Sequence, residues 1–304
     1  MSKQSIAVVG QGFVGGSLTT VFSEKNYTVY VYDKAGKVAQ GASKVVSNSI
    51  EDLVLNSEKD PKFSNVYFVC LPTPMFEDGS PDLSIVEGAL RDLAEVPGER
   101  IAVVKSTVPP GSVEHWNNIF SSKGLHVIFN PEFLTERTAL QDMRSQNRII
   151  LGGPRPWINS VKQIFRNAFH DVPIIKTSST TAEMVKYFTN NFLTVKVTFA
   201  NEMAQVCEAL DKKGLNIDYD KVVEYAWYDD RLGKSHWNVP GPDGKRGFGG
   251  HCFPKDINAM IYVAQTIGVD PKLLKAAWEK NLEVRPEKDW EQLLGRAVSK
   301  KPVD

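Results

Sequence analysis

The ten residues IAVVGQGFVG, 6–15, decide the fold. An apolar run over 6–9 meets Gly10, Gln11 and Gly12, and Leu18, Val21 and Phe22 then recur at helical spacing, which predicts strand, glycine turn and helix. A second strand, predicted over 28–32, closes on Asp33. That acid stands roughly 20 residues past the turn, where a dinucleotide-binding fold carries the carboxylate that bonds the adenosine ribose hydroxyls. A GxGxxG string alone is common in unrelated turns. Its place between strand and helix, with an acid ending the next strand, makes it a cofactor signal here. Gly10, Gly12, Phe13, Val14 and Gly15 are therefore candidate cofactor contacts, and Asp33, which would repel a 2′-phosphate, points to NAD rather than NADP.

Three further apolar runs, 66–71, 101–104 and 127–129, lead into PTP at 72–74, KSTVPPG at 105–111 and NPE at 130–132. Each by itself reads equally as an ordinary proline turn. In an open parallel sheet the carboxyl ends of the strands share one edge, so Thr73, Thr107 and Glu132 are expected to converge there. Strands at 148–151 and 172–175, with an amphipathic helix over 157–169, complete an α/β domain assigned to 1–176, a doubly wound parallel Rossmann-like sheet.

From 181 to 213 the pattern turns helical, and Met184, Phe188, Phe192, Val195, Phe199, Met203, Val206 and Leu210 supply apolar faces on more than one side. Such a helix sits between domains or subunits. On it Lys186 and Asn190 lie one turn apart, either as a cation and an amide aimed at one ligand or as a snorkelling lysine and a surface amide. A smaller helical central domain is assigned to 177–284, and 285–304 reads as a charged, peripheral tail. Within the irregular loop after 228, Arg231 is either an anion contact or half of a surface ion pair.

The stretch GFGGHCFPKD, 247–256, delivers Cys252 to the start of a helix, because Pro254 suits the first helical position and Ile257, Ile261 and Ile267 follow periodically. Unpaired N–H groups at a helix start, the dipole and Lys255 all favour a thiolate. Asp256, one turn on, is placed to hold a water or accept a proton. A lone cysteine is more commonly a small buried hydrophobe. The surrounding glycines, proline and charges favour chemistry instead.

Composition narrows the partners. Lys+Arg and Asp+Glu are both 36 in 304 residues, so no nucleic-acid or anionic-membrane surface is expected. Three scattered cysteines make neither a disulfide framework nor a zinc cluster, and His236 and His251 lack partners at metal-ligand spacing, so no metal is expected. No run approaches membrane-spanning length, and a cytoplasmic protein is expected.

With these pieces assembled, the sequence resembles the UDP-glucose/GDP-mannose dehydrogenase family. The matching stretches are the glycine turn at 10–15, CLPTP at 70–74, STVPPG at 106–111, NPEFLTE at 130–136, AEMVKY at 182–187, Asn201-Glu202, and GGHCFPKD at 249–256. They follow the family's order over nearly the whole chain. The resemblance implies NAD as cofactor, a sugar nucleotide as substrate and a four-electron oxidation. The primary alcohol gives one hydride to NAD, Cys252 captures the aldehyde as a thiohemiacetal, and a second hydride leaves a thioester that water hydrolyses.

By the same resemblance Lys186 and Asn190 stabilise the developing oxyanion, and Asp256 with Thr107 holds the water that relays protons. Glu132 activates the hydrolytic water, while Glu136 lies near that water and the cofactor, which Thr73 and Thr107 also contact. Phe133 and Leu134 offer backbone groups to the sugar, Gly249 lies against it, and Lys255 and Arg231 neutralise charge on cofactor or substrate. In the family the matching arginine often comes from a neighbouring subunit, which implies a homodimer built on the long helix. UDP-glucose is the first candidate substrate, with GDP-mannose or a UDP-N-acetylhexosamine as alternatives. Two departures stand out. Relatives continue into a third, nucleotide-like domain, so here either the loop 240–247 together with a second subunit holds the substrate, or a separate protein does, or affinity is low, and Arg137 beside Glu136 would lower that carboxylate's basicity.

Overall fold

In this computed structural model residues 4–39 and 44–300 are described; the first three residues, 40–43, and the last four residues of the expected tail lie outside them. The strands are β1 (Ser5–Val9), β2 (Thr28–Tyr32), β3 (Lys44–Val46), β4 (Phe63–Val69), β5 (Arg100–Val104), β6 (Leu125–Phe129), β7 (Ile149–Gly152) and β8 (Ile174–Thr177). The helices are α1 (Phe13–Glu24), α2 (Ile50–Glu58), α3 (Ser84–Glu95), α4 (Ser112–Phe120), α5 (Ala139–Arg144), α6 (Trp157–Ala168), α7 (Ser179–Asp211), α8 (Tyr219–Ala226), α9 (Phe253–Thr266) and α10 (Lys272–Val284). They divide into two compact units, Met1–Thr73 with Leu83–Lys186, and Pro74–Asp82 with Tyr187–Asp304.

The first unit is a single sheet in the order β3-β2-β1-β4-β5-β6-β7-β8. Alternation along the strands feeds two cores. Ala7, Val9, Tyr67, Val69, Ala102 and Val104 face one, and Ile6, Val8, Val66, Phe68, Ile101 and Val103 face the other. Both faces are thus covered, as a parallel sheet requires. The expected parallel order holds through β6. It then breaks: β7 meets β6 at Phe129–Gly152 running the opposite way and pairs in parallel with β8. The intervening chain carries only a 3-10 turn and the six-residue α5, too little to cover a strand as a crossover helix does.

Helix α7 begins in the first unit, and its residues from Tyr187 on dominate the second. Its 33 residues contain no glycine or proline, so nothing in the chain interrupts the ladder. Phe248, Ile257 and Ala277 form one apolar cluster with Val195, Phe253 and Trp278. The segment expected to be a peripheral tail is packed instead. Trp290 and Ala297 are buried with Met75, the Trp278 and Trp290 rings lie 5.2 Å apart, and Met75 exchanges backbone hydrogen bonds with Ala297 (2.8 Å) and Ser299 (2.7 Å). One large apolar side chain among the charges, Trp290, outweighs the local polarity once a bridge partner satisfies the backbone. No helix among the described residues is long and apolar enough to cross a membrane.

Candidate cofactor and catalytic sites

At the glycine turn the chain leaves β1 and enters α1 with Gly12 as the N-cap and no side-chain cap. Gly10 has a φ of 89°, and a Cβ there would meet the Cys70 carbonyl oxygen at 2.4 Å; a Cβ on Gly15 would meet the Gly10 carbonyl oxygen at 1.9 Å. The space beside Gly12 is open. Helix N–H groups therefore face an approach that no side chain obstructs, which suits a pyrophosphate. Asp33 stands across this turn: its Oδ2 accepts the Gln11 N–H at 2.7 Å and its Oδ1 accepts those of Ala35 (2.9 Å) and Lys37 (3.3 Å). The carboxylate is thus fixed at the end of β2, and the residues fit a dinucleotide. Phe13 and Val14 open α1 on the same turn.

The three polar turns after β4, β5 and β6 do converge. The Thr73 hydroxyl donates to the Thr107 carbonyl at 2.8 Å, and Ser106 Oγ accepts the Leu71 N–H at 3.0 Å. Lys105 Nζ lies 3.2 Å from Glu132 Oε2 and donates to Asn130 Oδ1 at 2.7 Å. Glu132 Oε1 accepts the N–H groups of Phe133 (2.6 Å) and Leu134 (2.8 Å). Those two N–H groups are consequently engaged by the neighbouring carboxylate, and their carbonyls remain the groups to offer a sugar. Lys186 Nζ donates to the Glu132 carbonyl oxygen and sits 5.5 Å from the Phe133 ring centroid. A cavity of about 260 Å³ opens beside this cluster, lined by Lys105, Glu132, Phe133, Leu134 and Arg148 among others. Glu136 is exposed on the 3-10 turn that follows.

One buried acid supports this edge. Glu183 on α7 accepts the N–H groups of Gly111 (2.6 Å) and Val113 (2.8 Å), at the start of α4, whose N-cap glycine supplies no side chain. Burial pushes its carboxyl up to about 7, against the lowering pull of those two donors. The contact ties the turn that carries Thr107 to the helix that carries Lys186.

In the second unit Cys252 is the N-cap of α9, with Pro254 in the first turn. It is half-buried and not in a disulfide. The Asp256 N–H donates to the Cys252 carbonyl at 3.0 Å, which puts the acid one turn along as the spacing predicts. Asp256 is buried; its Oδ2 accepts Asn190 Nδ2 at 2.6 Å and its Oδ1 accepts Lys255 Nζ at 2.5 Å. Carboxylate, amide and ammonium thus form one network beside the start of the thiol's helix. Arg231 does not join it: the guanidinium is exposed and pairs with Asp229 at 2.5 Å.

Three residues around the cysteine loop, Asn281, Arg285 and Asp289, carry no spacing signal and were not among the sequence candidates, and a fourth, Asn201, stood only in a matching stretch with no role attached. They bind the backbone or side chains of 243–250.

A doubly wound sheet with an open glycine turn and an acid closing the second strand defines a dinucleotide-binding protein, here joined to a helical unit that bears a cysteine. The chain belongs to the UDP-glucose/GDP-mannose dehydrogenase family: residues 4–169 match its NAD binding domain and residues 180–283 its central domain. The cofactor of this class of domain is NAD. Among similar proteins is the UDP-glucose 6-dehydrogenase TuaD of Bacillus subtilis, 31% identical over 304 residues, covering 93% of this chain and 64% of that protein. Similar solved structures include a UDP-glucose dehydrogenase from Pyrobaculum islandicum, with TM-score 0.78, 28% identity and coverage of 95% of this chain and 70% of that one. A UDP-D-ManNAc dehydrogenase from Pyrococcus horikoshii gives 0.76, 26%, 93% and 69%. The chain thus spans roughly two thirds of the length of these relatives.

Proposed function

We propose that this chain oxidises the C6 primary alcohol of UDP-glucose to the carboxylate of UDP-glucuronate, with Cys252 holding the sugar carbon between two oxidations. The observation that carries this is the cysteine at a helix N-cap with Asp256, Asn190 and Lys255 networked one turn away. An alcohol-to-aldehyde enzyme has no use for a nucleophile, whereas reaching the acid requires an adduct that can be oxidised again. NAD, when bound by Gly10, Gly12, Gly15, Asp33 and their neighbours, supplies the hydride acceptor.

Each protein group then has a defined task. Lys186 and Asn190 stabilise negative charge on the C6 oxygen, and Thr107 with Asp256 holds the water through which protons leave. Cys252 Sγ adds to the aldehyde carbon, and loss of a hydride from C6 and a proton from its oxygen leaves a thioester. Water activated at Glu132 adds to that carbon, the C–S bond breaks and the sulfur recovers a proton. Thr73, Glu136 and Lys255 contribute to the cofactor side; Phe133, Leu134, Gly249 and Arg231 to the substrate side. A reducing, cytoplasmic setting suits such a thiol.

NADH formation with a panel of sugar nucleotides tests the assignment: UDP-glucose is expected to give the highest kcat/KM. A second reading, oxidation of a UDP-N-acetylhexosamine, is favoured by the similarity to the Pyrococcus structure and would show as a preference for that substrate. No NADH with any member of the panel would leave only an NAD-binding scaffold.

We further propose a homodimer through α7, on which Phe188, Phe192 and Phe199 are 69%, 60% and 53% exposed. A stripe of aromatics at helical spacing is costly to leave in water. Analytical ultracentrifugation is expected to give the dimer mass for the native chain and the monomer mass for Phe188→Asp/Phe192→Asp. A monomeric native chain would overturn this.

A further inference from the structure

We propose that Arg285, acting with Asn281 and Asp289, is a positioning residue that sets the Cys252 thiol by clamping the glycine loop before it; the inference rests on the thioester chemistry proposed above. Arg285 follows α10 and is 2% exposed. Its guanidinium donates to Asp289 Oδ1 at 2.6 Å, to Asp243 Oδ2 at 2.7 Å and to the Arg246 carbonyl at 3.2 Å. Asn281 grips Phe248 from both sides, accepting its N–H at 2.7 Å and donating to its carbonyl at 3.0 Å. Asp289 accepts the Gly250 N–H at 3.2 Å, and Asn201 accepts that of Gly247 at 3.1 Å. The loop lies so close to the guanidinium that a Cβ on Gly249 would stand 2.4 Å from an Arg285 nitrogen. Cys252 comes two residues after the last clamped position and immediately before α9.

Backbone held at this many points leaves the sulfur little freedom ahead of a rigid helix. Capture of an aldehyde depends on that, since displacements of about 1 Å in a reacting group cost on the order of a hundredfold in rate. Charge is not the means: two carboxylates surround the one guanidinium, so it has no net positive charge to lend the thiol. Recognition is instead by the planar fork, which contacts Asp289, Asp243 and a carbonyl at once in a way that an ammonium cannot.

The test is the number of NADH formed per sugar nucleotide consumed, with peptide-resolved iodoacetamide labelling of Cys252 in the native protein. The NADH ratio does not depend on how much enzyme is folded, so a merely stabilising Arg285 would leave it at two. Arg285→Ala is expected to lower it toward one and to change Cys252 labelling several-fold, with NAD affinity retained. Arg285→Lys, a milder change that keeps the charge, is expected to fall between. Gly249→Ala should reproduce the defect, and Gly249→Ala/Arg285→Ala should be no worse than either single variant, because the obstructing guanidinium is gone. A ratio of two with unaltered labelling in Arg285→Lys and Gly249→Ala would overturn the clamp while leaving the thioester chemistry standing. A native ratio of one or zero would remove that chemistry, and the clamp with it.

Discussion

Cys252→Ser is expected to lower formation of the carboxylate product by on the order of a thousandfold or more, the scale seen when a covalent nucleophile is removed, while NAD affinity stays at the native value. A thousandfold corresponds to roughly 4 kcal/mol of barrier, and its origin is acidity. Cys252 is the α9 N-cap with Lys255 in the first turn; the nucleophile of such chemistry is a thiolate, and a serine hydroxyl is far less acidic than any thiol. The glycine turn and Asp33 belong to the first unit and Cys252 to the second, and an oxygen-for-sulfur exchange leaves every proposed cofactor residue unchanged. The checks are isothermal titration with NAD and product formation by chromatography. Weakened NAD binding would mean that Cys252 is a structural residue.

Lys105→Met is expected to be the most destabilising of the site substitutions, by about 3–5 kcal/mol in urea unfolding, because breaking a buried pair strands its partner. The Lys105 and Glu132 side chains are 4% and 10% exposed. With the ammonium gone, Glu132 retains its two backbone donors but loses the cation 3.2 Å from its Oε2, and Asn130 Oδ1 loses the lysine donor that it had. Lys105→Met/Glu132→Gln should recover a large share of the loss, since no ion is then left alone in the interior. A single variant within 1 kcal/mol of native, the ordinary range for a surface pair, would show that water reaches Glu132 and screens it.

Much of the first unit could be read from the chain. Short apolar runs located seven of the eight strands among the described residues, and shared strand ends placed Thr73, Thr107 and Glu132 on one edge. The strand that escaped, β3, has three residues and an exposed Val45 and Val46, so neither length nor burial pattern marked it. The reversed β7 left no trace either, because direction is set by what the connection can span. Around Cys252 the local spacing was informative: Asp256 lies one turn on, as four residues of helix require. The clamp was not legible. Its hydrogen bonds to the loop join residues 33 to 46 positions apart, and nothing in the order of residues announces that Asn281 will meet Phe248. The last segment misled for a related reason. Its charges read as solvated, yet Arg285 spends its charge on Asp243 and Asp289, and Trp290 turns inward. In the case of Phe133 and Leu134 the candidate residues were visible, while the capture of their N–H groups by Glu132 was not.

That Cys252 carries the sugar carbon between two oxidations is tested most directly by counting NADH against UDP-glucose consumed, with mass analysis of the Cys252 peptide from a rapidly quenched reaction. The expected result is two NADH per sugar and a hexuronyl adduct on that peptide. One NADH per sugar with free aldehyde, or two with the adduct on another residue, would contradict it.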